Sequence, residues 1–162
     1  NHDGHPDIVT GQGDNGDLSE IRKRFHGSRL LLNDGKNNFS QKFFYPIYGA
    51  THVIADDFDH DGDIDFAVTS FFPDYGSLID ESFVYLENTN ADKFRFKSFI
   101  SKNDVPVKSL TMTEGDIDAD GDMDIMLGLF SHSPVSVPPG LQEKWDSSKN
   151  GLTIFFNQLK HH

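Results

Sequence analysis

The sequence predicts an all-β fold of repeated four-stranded antiparallel units. Three observations carry that prediction: a nine-residue acidic loop present twice in full, strand-like segments on both sides of each loop, and a constant spacing between copies. The full loops are Asp57-Phe-Asp59-His-Asp61-Gly62-Asp63-Ile64-Asp65 and Asp116-Ile-Asp118-Ala-Asp120-Gly121-Asp122-Met123-Asp124. Both read D-x-D-x-D-G-D-φ-D, with φ apolar. At about 4 Å and an effective dielectric near 20, each close carboxylate pair costs on the order of 4 kcal/mol. A hard divalent cation removes that cost. Calcium takes six to eight oxygens at roughly 2.3–2.6 Å. The spacing supplies them: Asp at positions 1, 3 and 5 converge, Gly at 6 permits the turn, residue 7 offers its carbonyl and Asp at 9 closes the loop. The competing reading, two solvated acidic turns, leaves unexplained why the pattern recurs with its Gly in register.

The loops are not EF-hands. That motif needs a bidentate Glu at position 12 and flanking helices. Position 12 is Val68 in one loop and Leu127 in the other, and the flanks read as strands. Thr51–Ala55 leads into the first loop and Phe66–Ser70 leads out; Ser109–Thr113 and Ile125–Leu129 do the same for the second. These segments are rich in β-branched and apolar residues. Each loop is therefore the turn of a hairpin, and a dockerin-type loop is disfavoured on the same grounds.

A third copy opens the chain, as Asn1-His-Asp3-Gly4-His5-Pro6-Asp7-Ile8-Val9. Aligned on Gly4, Asn1 is position 3, Asp3 position 5, His5 position 7 and Asp7 position 9. Two readings stay open: a working site in a longer chain, with position 1 supplied upstream, or a copy that has decayed.

The position-5 aspartates Asp3, Asp61 and Asp120 are 58 and 59 residues apart. A fixed period in this range, with several strands per copy, suggests β-propeller blades. The rest of the repeat aligns as well. After each loop strand and a variable insert comes an apolar strand ending near Asn: Arg29–Asn33, Phe83–Asn88 and Thr153–Asn157. In the first two repeats a short turn and a Phe-rich strand follow, Phe39–Phe43 and Phe94–Phe99. The expectation is one repeat domain over residues 1–162, with a partial blade at 1–49, a whole one at 50–106 and a partial one at 107–162. Counted by strands it is three, then four, then three: about three blades, an open fragment of a larger propeller. The open ends would be covered by the rest of the parent propeller or by self-association.

The acidic loop, followed by an apolar strand ending in N-x-G-x-x-x-F, resembles the FG-GAP/VCBS repeats of integrin-like β-propellers. Leu32-Asn33-Asp34-Gly35-Lys36-Asn37-Asn38-Phe39, Phe71-Phe72-Pro73-Asp74-Tyr75 and Val84-Tyr85-Leu86-Glu87-Asn88 look like a bacterial branch. The resemblance implies a calcium in the turn between the first two strands of a blade. Asp57, Asp59, Asp61 and Asp65 would ligate by side chain and Asp63 by its carbonyl; Asp116, Asp118, Asp120, Asp124 and the Asp122 carbonyl would match. The long inserts depart from the family minimum.

Composition agrees. Fifteen Phe and four Tyr suit packing between sheets, and helical periodicity is hard to find. The net charge is −12, from 26 acidic and 14 basic residues. Ten of the acidic residues sit in the two full loops, so the remaining surface is close to balanced. That distribution argues against nucleic acid, which needs a basic face; the run Arg22-Lys23-Arg24 is too short to change it. There is no cysteine, hence no disulfide or thiolate chemistry. Extracellular calcium modules bind at about 10⁻⁴–10⁻³ M, so such sites fill outside the cytoplasm. A secreted, periplasmic or cell-surface location is expected, with no membrane span.

The inserts, near 11–28, 72–82 and 131–151, occupy one place in every repeat and should emerge on one face. Loops on one face of a rigid scaffold commonly carry binding, so a protein or carbohydrate partner is expected there. Trp145 and Tyr75 either meet that partner or pin their own loops, the second being preferred. Asp14, Asn15, Asp17 and Glu20 read as a solvated acidic loop rather than a further metal site. Catalytic signals are weak. The histidines His2, His5, His26, His52, His60 and His132 lack metal-helix spacing, there is no G-x-S-x-G elbow, and no catalytic residue is assigned. His161 and His162 end the chain. Two functions remain: a calcium-stabilised binding scaffold, or part of a secreted propeller hydrolase or lyase acting on glycans.

Overall fold

Ten strands form in the computed structural model, which describes residues 1–13, 21–75, 79–90, 92–101, 107–133 and 135–159. They build three antiparallel sheets, none of them closed. The first holds β1 (Ile8–Gln12), β2 (Gly27–Asn33) and β3 (Phe39–Pro46), in that order. The second holds β4 (Ala50–Asp56), β5 (Asp65–Ser70), β6 (Phe83–Asn90) and β7 (Arg95–Ile100). The third holds β8 (Ser109–Gly115), β9 (Asp124–Leu129) and β10 (Leu152–Phe155), with β9 in the middle. The architecture is all-β, and the three-four-three count of strands is the one the repeat implies.

Sequence periodicity becomes structural periodicity. β4 pairs β5 from Asp56↔Asp65 back to Ala50↔Ser70, and β8 pairs β9 from Gly115↔Asp124 back to Ser109↔Leu129. Both ladders slip at the same place, between Ala50 and His52 and between Ser109 and Thr111. A bulge kept in both repeats bends each inner strand alike.

The second sheet is covered on both faces, which is why all six residues of β5 are buried. Side chains alternate across a strand. Phe66 and Val68 therefore join Leu30, Ile47, Ala50, Val84 and Leu86 against the first sheet. Ala67, between them, points the other way and packs with Phe58, Phe83, Val107, Met112, Ile125 and Leu127 toward the third. Aromatic rings close both seams. Phe96 lies 4.3 Å from Phe43 and 4.9 Å from Phe66 between ring centroids, and Phe83 stacks on Phe155 at 4.5 Å. Offset or edge contacts of this kind add about 0.5–1.5 kcal/mol each beyond area burial.

One element departs from the sequence reading. The third insert contains a short helix, α1 (Leu141–Ser148), with Leu141 and Trp145 buried on one face. Its two apolar residues are four apart, the helical spacing, but a single such pair between Pro139 and Gly151 carries too little periodicity to be read in isolation. Trp145 is 4% exposed and Tyr75 sets an edge against it at 5.9 Å, so these two rings pin the inserts, as preferred. The acidic run 14–20 and the C-terminal histidines lie outside the described residues. No helix among the described residues is long and apolar enough to cross a membrane.

Candidate metal centre

Each full loop joins two neighbouring strands of one sheet, so its backbone is anchored at both ends. Position 6 is glycine because the turn demands positive φ: +94° at Gly62 and +98° at Gly121. No atom lies within 4 Å of where a Cβ would sit at either residue, so backbone conformation, not crowding, selects glycine. Position 4 is also left-handed, with φ of 58° at His60 and 63° at Ala119.

Those turns fold the acidic side chains inward. Asp57, Asp59 and Asp61 each place a carboxylate oxygen within 4.8 Å of the others, and so do Asp116, Asp118 and Asp120. The two loops share their hydrogen bonds. Asp57 Oδ1 accepts from the Asp61 N–H at 3.1 Å and Oδ2 from the Gly62 N–H at 3.0 Å. Asp116 accepts likewise from Asp120 and Gly121, both at 3.1 Å. Asp61 Oδ1 accepts from the Asp63 N–H at 2.8 Å, and Asp120 Oδ1 from the Asp122 N–H at 3.0 Å.

The first copy has the same fold. His2 and Gly4 have φ of 54° and 80°, and Asp3 Oδ1 accepts from the His5 N–H at 2.8 Å. That bond holds the Asp3 carboxyl below its ordinary value. Asn1 stands beside it, donating to Asp3 Oδ2 at 2.8 Å. The His5 ring lies over Gly35. No third set of three clustered carboxylates occurs among the described residues.

Position 9 does something the sequence does not disclose. Its carboxylate accepts the backbone N–H of an Asn at or near the far end of the next strand of the repeat. The pairs are Asp7 with Asn33 at 2.9 Å, Asp65 with Asn88 at 2.7 Å and Asp124 with Asn157 at 2.8 Å. The other oxygens are used too: Asp65 Oδ2 accepts from the Tyr85 hydroxyl at 2.5 Å, and Asp124 Oδ2 from the Ile117 N–H at 2.9 Å. Asp65 and Asp124 are fully buried. They lie outside the two clusters of three and tie each loop to its sheet. The repeated Asn was the visible signal; its partner, more than twenty residues away, was not.

Loops also touch across repeats. His2 Nε2 lies 3.0 Å from the Gly62 carbonyl, and His60 Nδ1 lies 3.8 Å from Asp122 Oδ1. Asn157 donates to the Phe58 carbonyl at 2.6 Å, and Asp122 Oδ2 accepts from the Leu159 N–H at 3.1 Å.

Burial and neighbouring carboxylates raise several of these groups. Burial pushes the Asp65 carboxyl up to about 6. Loss of water, then the Asp61, Asp57 and Glu87 charges, raise Asp59. Loss of water and the Asp120 and Asp124 charges raise Asp118. Burial first, then the bond to Asp65, raises the Tyr85 hydroxyl. A divalent cation inverts these directions. The donor set fits: it is all oxygen, hard and anionic, which suits calcium or magnesium rather than a thiolate- or imidazole-seeking metal.

Fold and loops together define a protein of repeated strand–acidic turn–strand units. The family model of the FG-GAP-like repeat matches residues 1–68, from the opening loop copy through β5. That stretch is similar to the FG-GAP-like repeat and makes up less than half of the 162 residues. No curated protein and no solved structure matches the chain.

Proposed function

We propose that the chain is a run of three β-propeller blades, braced by calcium, that serves as an extracytoplasmic scaffold for a protein or carbohydrate partner. The observation that carries this reading is the pair of loops with matching backbone angles and hydrogen bonds, each converging three carboxylates. In it, Asp57, Asp59, Asp61 and Asp65 with the Asp63 carbonyl hold one calcium. Asp116, Asp118, Asp120 and Asp124 with the Asp122 carbonyl hold the other. The opening copy at Asn1, Asp3, His5 and Asp7 has the fold for a third once a position-1 donor precedes it. Loops of this kind bind calcium weakly in extracellular modules and fill where it is millimolar, which is the ground for the extracytoplasmic reading.

The partner face is the insert end, opposite the loops along each strand. The second and third inserts meet there through Tyr75 and Trp145. Calorimetry on chelator-stripped protein tests the metal reading. Two calcium equivalents should bind, and Asp61→Ala and Asp120→Ala should each remove one. No heat, or equal uptake by both variants and parent, contradicts it.

A further inference from the structure

Lys108, at the insert end, is enclosed without a hydrogen-bond partner. Its residue is 1% exposed, and Nζ has no such partner among the described residues. Its neighbours are rings: Nζ lies 4.4 Å from the Phe71 centroid, 5.2 Å from Trp145 and 5.8 Å from Phe72. Aromatic faces attract an ammonium, yet they replace only part of its hydration. Burial accordingly draws the Lys108 amine down to about 8. A hydrophobic residue would fill this space at no such cost.

The cover over Lys108 is a short helix. α1 is eight residues long, with only Leu141 and Trp145 buried. It starts at Gly140 with no side-chain cap and ends at Lys149, both left-handed. Helices this short are not stable alone, so its tertiary contacts hold it. Gln142 is one anchor, donating to the Ser131 carbonyl at 2.7 Å and accepting from the Ser133 N–H at 3.2 Å.

Beside this cage lies a pocket of about 280 Å³, lined by Phe72, Tyr75, Pro73, Pro138 and Arg22. It shares Phe72 with the cage, and Tyr75 touches Trp145. Arg22 is half exposed and paired with the buried Asp74. Apolar rings, a cation at the rim and a second cation behind one shared ring describe a site for an anion with an apolar body.

We propose that the insert end binds a small organic carboxylate carrying an apolar ring. The ring rests on Phe72 and Tyr75. The carboxylate meets Lys108 when the Trp145 edge of α1 moves aside, and Arg22 serves as the second cation at the mouth. The site goes beyond the calcium reading and stands without it.

Trp145 is the only tryptophan, so emission reports the cage directly. The intact chain is titrated at pH 7 with benzoate, and with benzyl alcohol as the neutral counterpart. Benzoate should change Trp145 emission saturably, with benzyl alcohol at least tenfold weaker. Lys108→Met should abolish the benzoate response, and Arg22→Gln should weaken it several-fold, with circular dichroism showing that each variant keeps the parent's fold. Equal responses to the two probes, no saturable response to benzoate, or an Arg22→Gln titration identical to the parent's would overturn the proposal. So would full benzoate binding by Lys108→Met.

Discussion

Asp65 is the residue on which loop and sheet meet. It is fully buried, it accepts from Asn88 and Tyr85, and burial lifts its carboxyl to about 6. In metal-free protein the folded state then holds a proton that the unfolded state has released between about pH 4 and pH 6. Stability must fall as pH rises through that window. The loss amounts to at most about 3 kcal/mol at one pKa unit per 1.4 kcal/mol. Chelated protein should therefore melt higher at pH 5 than Asp65 alone would permit at pH 7, and Asp65→Asn should flatten that slope. Calcium should cancel it, since the cation stabilises the charged form. Lys108 has the opposite sign. Its folded amine loses its proton near 8, the unfolded one near 10.4. Between those values the unfolded state binds more protons, so stability rises with pH by up to about 1.4 kcal/mol per unit. Denaturant melts from pH 7 to 10 should show that rise, and Lys108→Met should remove it and be the more stable protein at pH 7. A Lys108→Met variant less stable at pH 7 would contradict the account of its burial.

At the scale of the element, the hairpin around each acidic loop depends on a turn only glycine enters freely. Gly62→Ala and Gly121→Ala meet no neighbouring atom, so any cost comes from the left-handed backbone, about 1–3 kcal/mol each. Urea melts should show that loss without a change of slope, because no packing is disturbed. These hairpins were legible in the sequence. Segments rich in β-branched and apolar residues and a Gly fixed between carboxylates define strand, turn and strand without long-range information. Two features were not legible. α1 rests on one apolar pair, Leu141 and Trp145, and the Trp145 ring is met by Tyr75 from another insert. The tether from position 9 to Asn33, Asn88 and Asn157 joins residues that only sheet formation brings together. His60, at position 4 of its own loop, lies beside Asp122 of the next one.

At the scale of the whole molecule, three stacked sheets bury the middle one and leave the outer faces uncovered. Phe25, Phe39, Phe130, Leu152 and Phe156 are all more than two-fifths exposed. A groove of about 410 Å³ runs beside β10, lined by Tyr85, Phe99, Phe155 and Phe156. Exposed apolar patches and a free strand edge favour association. Light scattering on this chain should give a species larger than a monomer, and Phe156→Ser with Leu152→Ser should shift it toward monomer. A monodisperse monomer at high concentration would show that the outer faces are tolerated by water.

The claim that joins these scales is that the acidic loops hold the sheets together only when a cation neutralises them. Thermal unfolding with and without calcium tests it most directly. At millimolar calcium and a Kd of about 10⁻⁴ M, one site adds about 1.4 kcal/mol. For a domain of this size that is several degrees per site. Millimolar calcium should raise the melting temperature, chelator should reverse the gain, and Asp61→Ala with Asp120→Ala should abolish it. A melt that stays the same in calcium and in chelator would contradict the account.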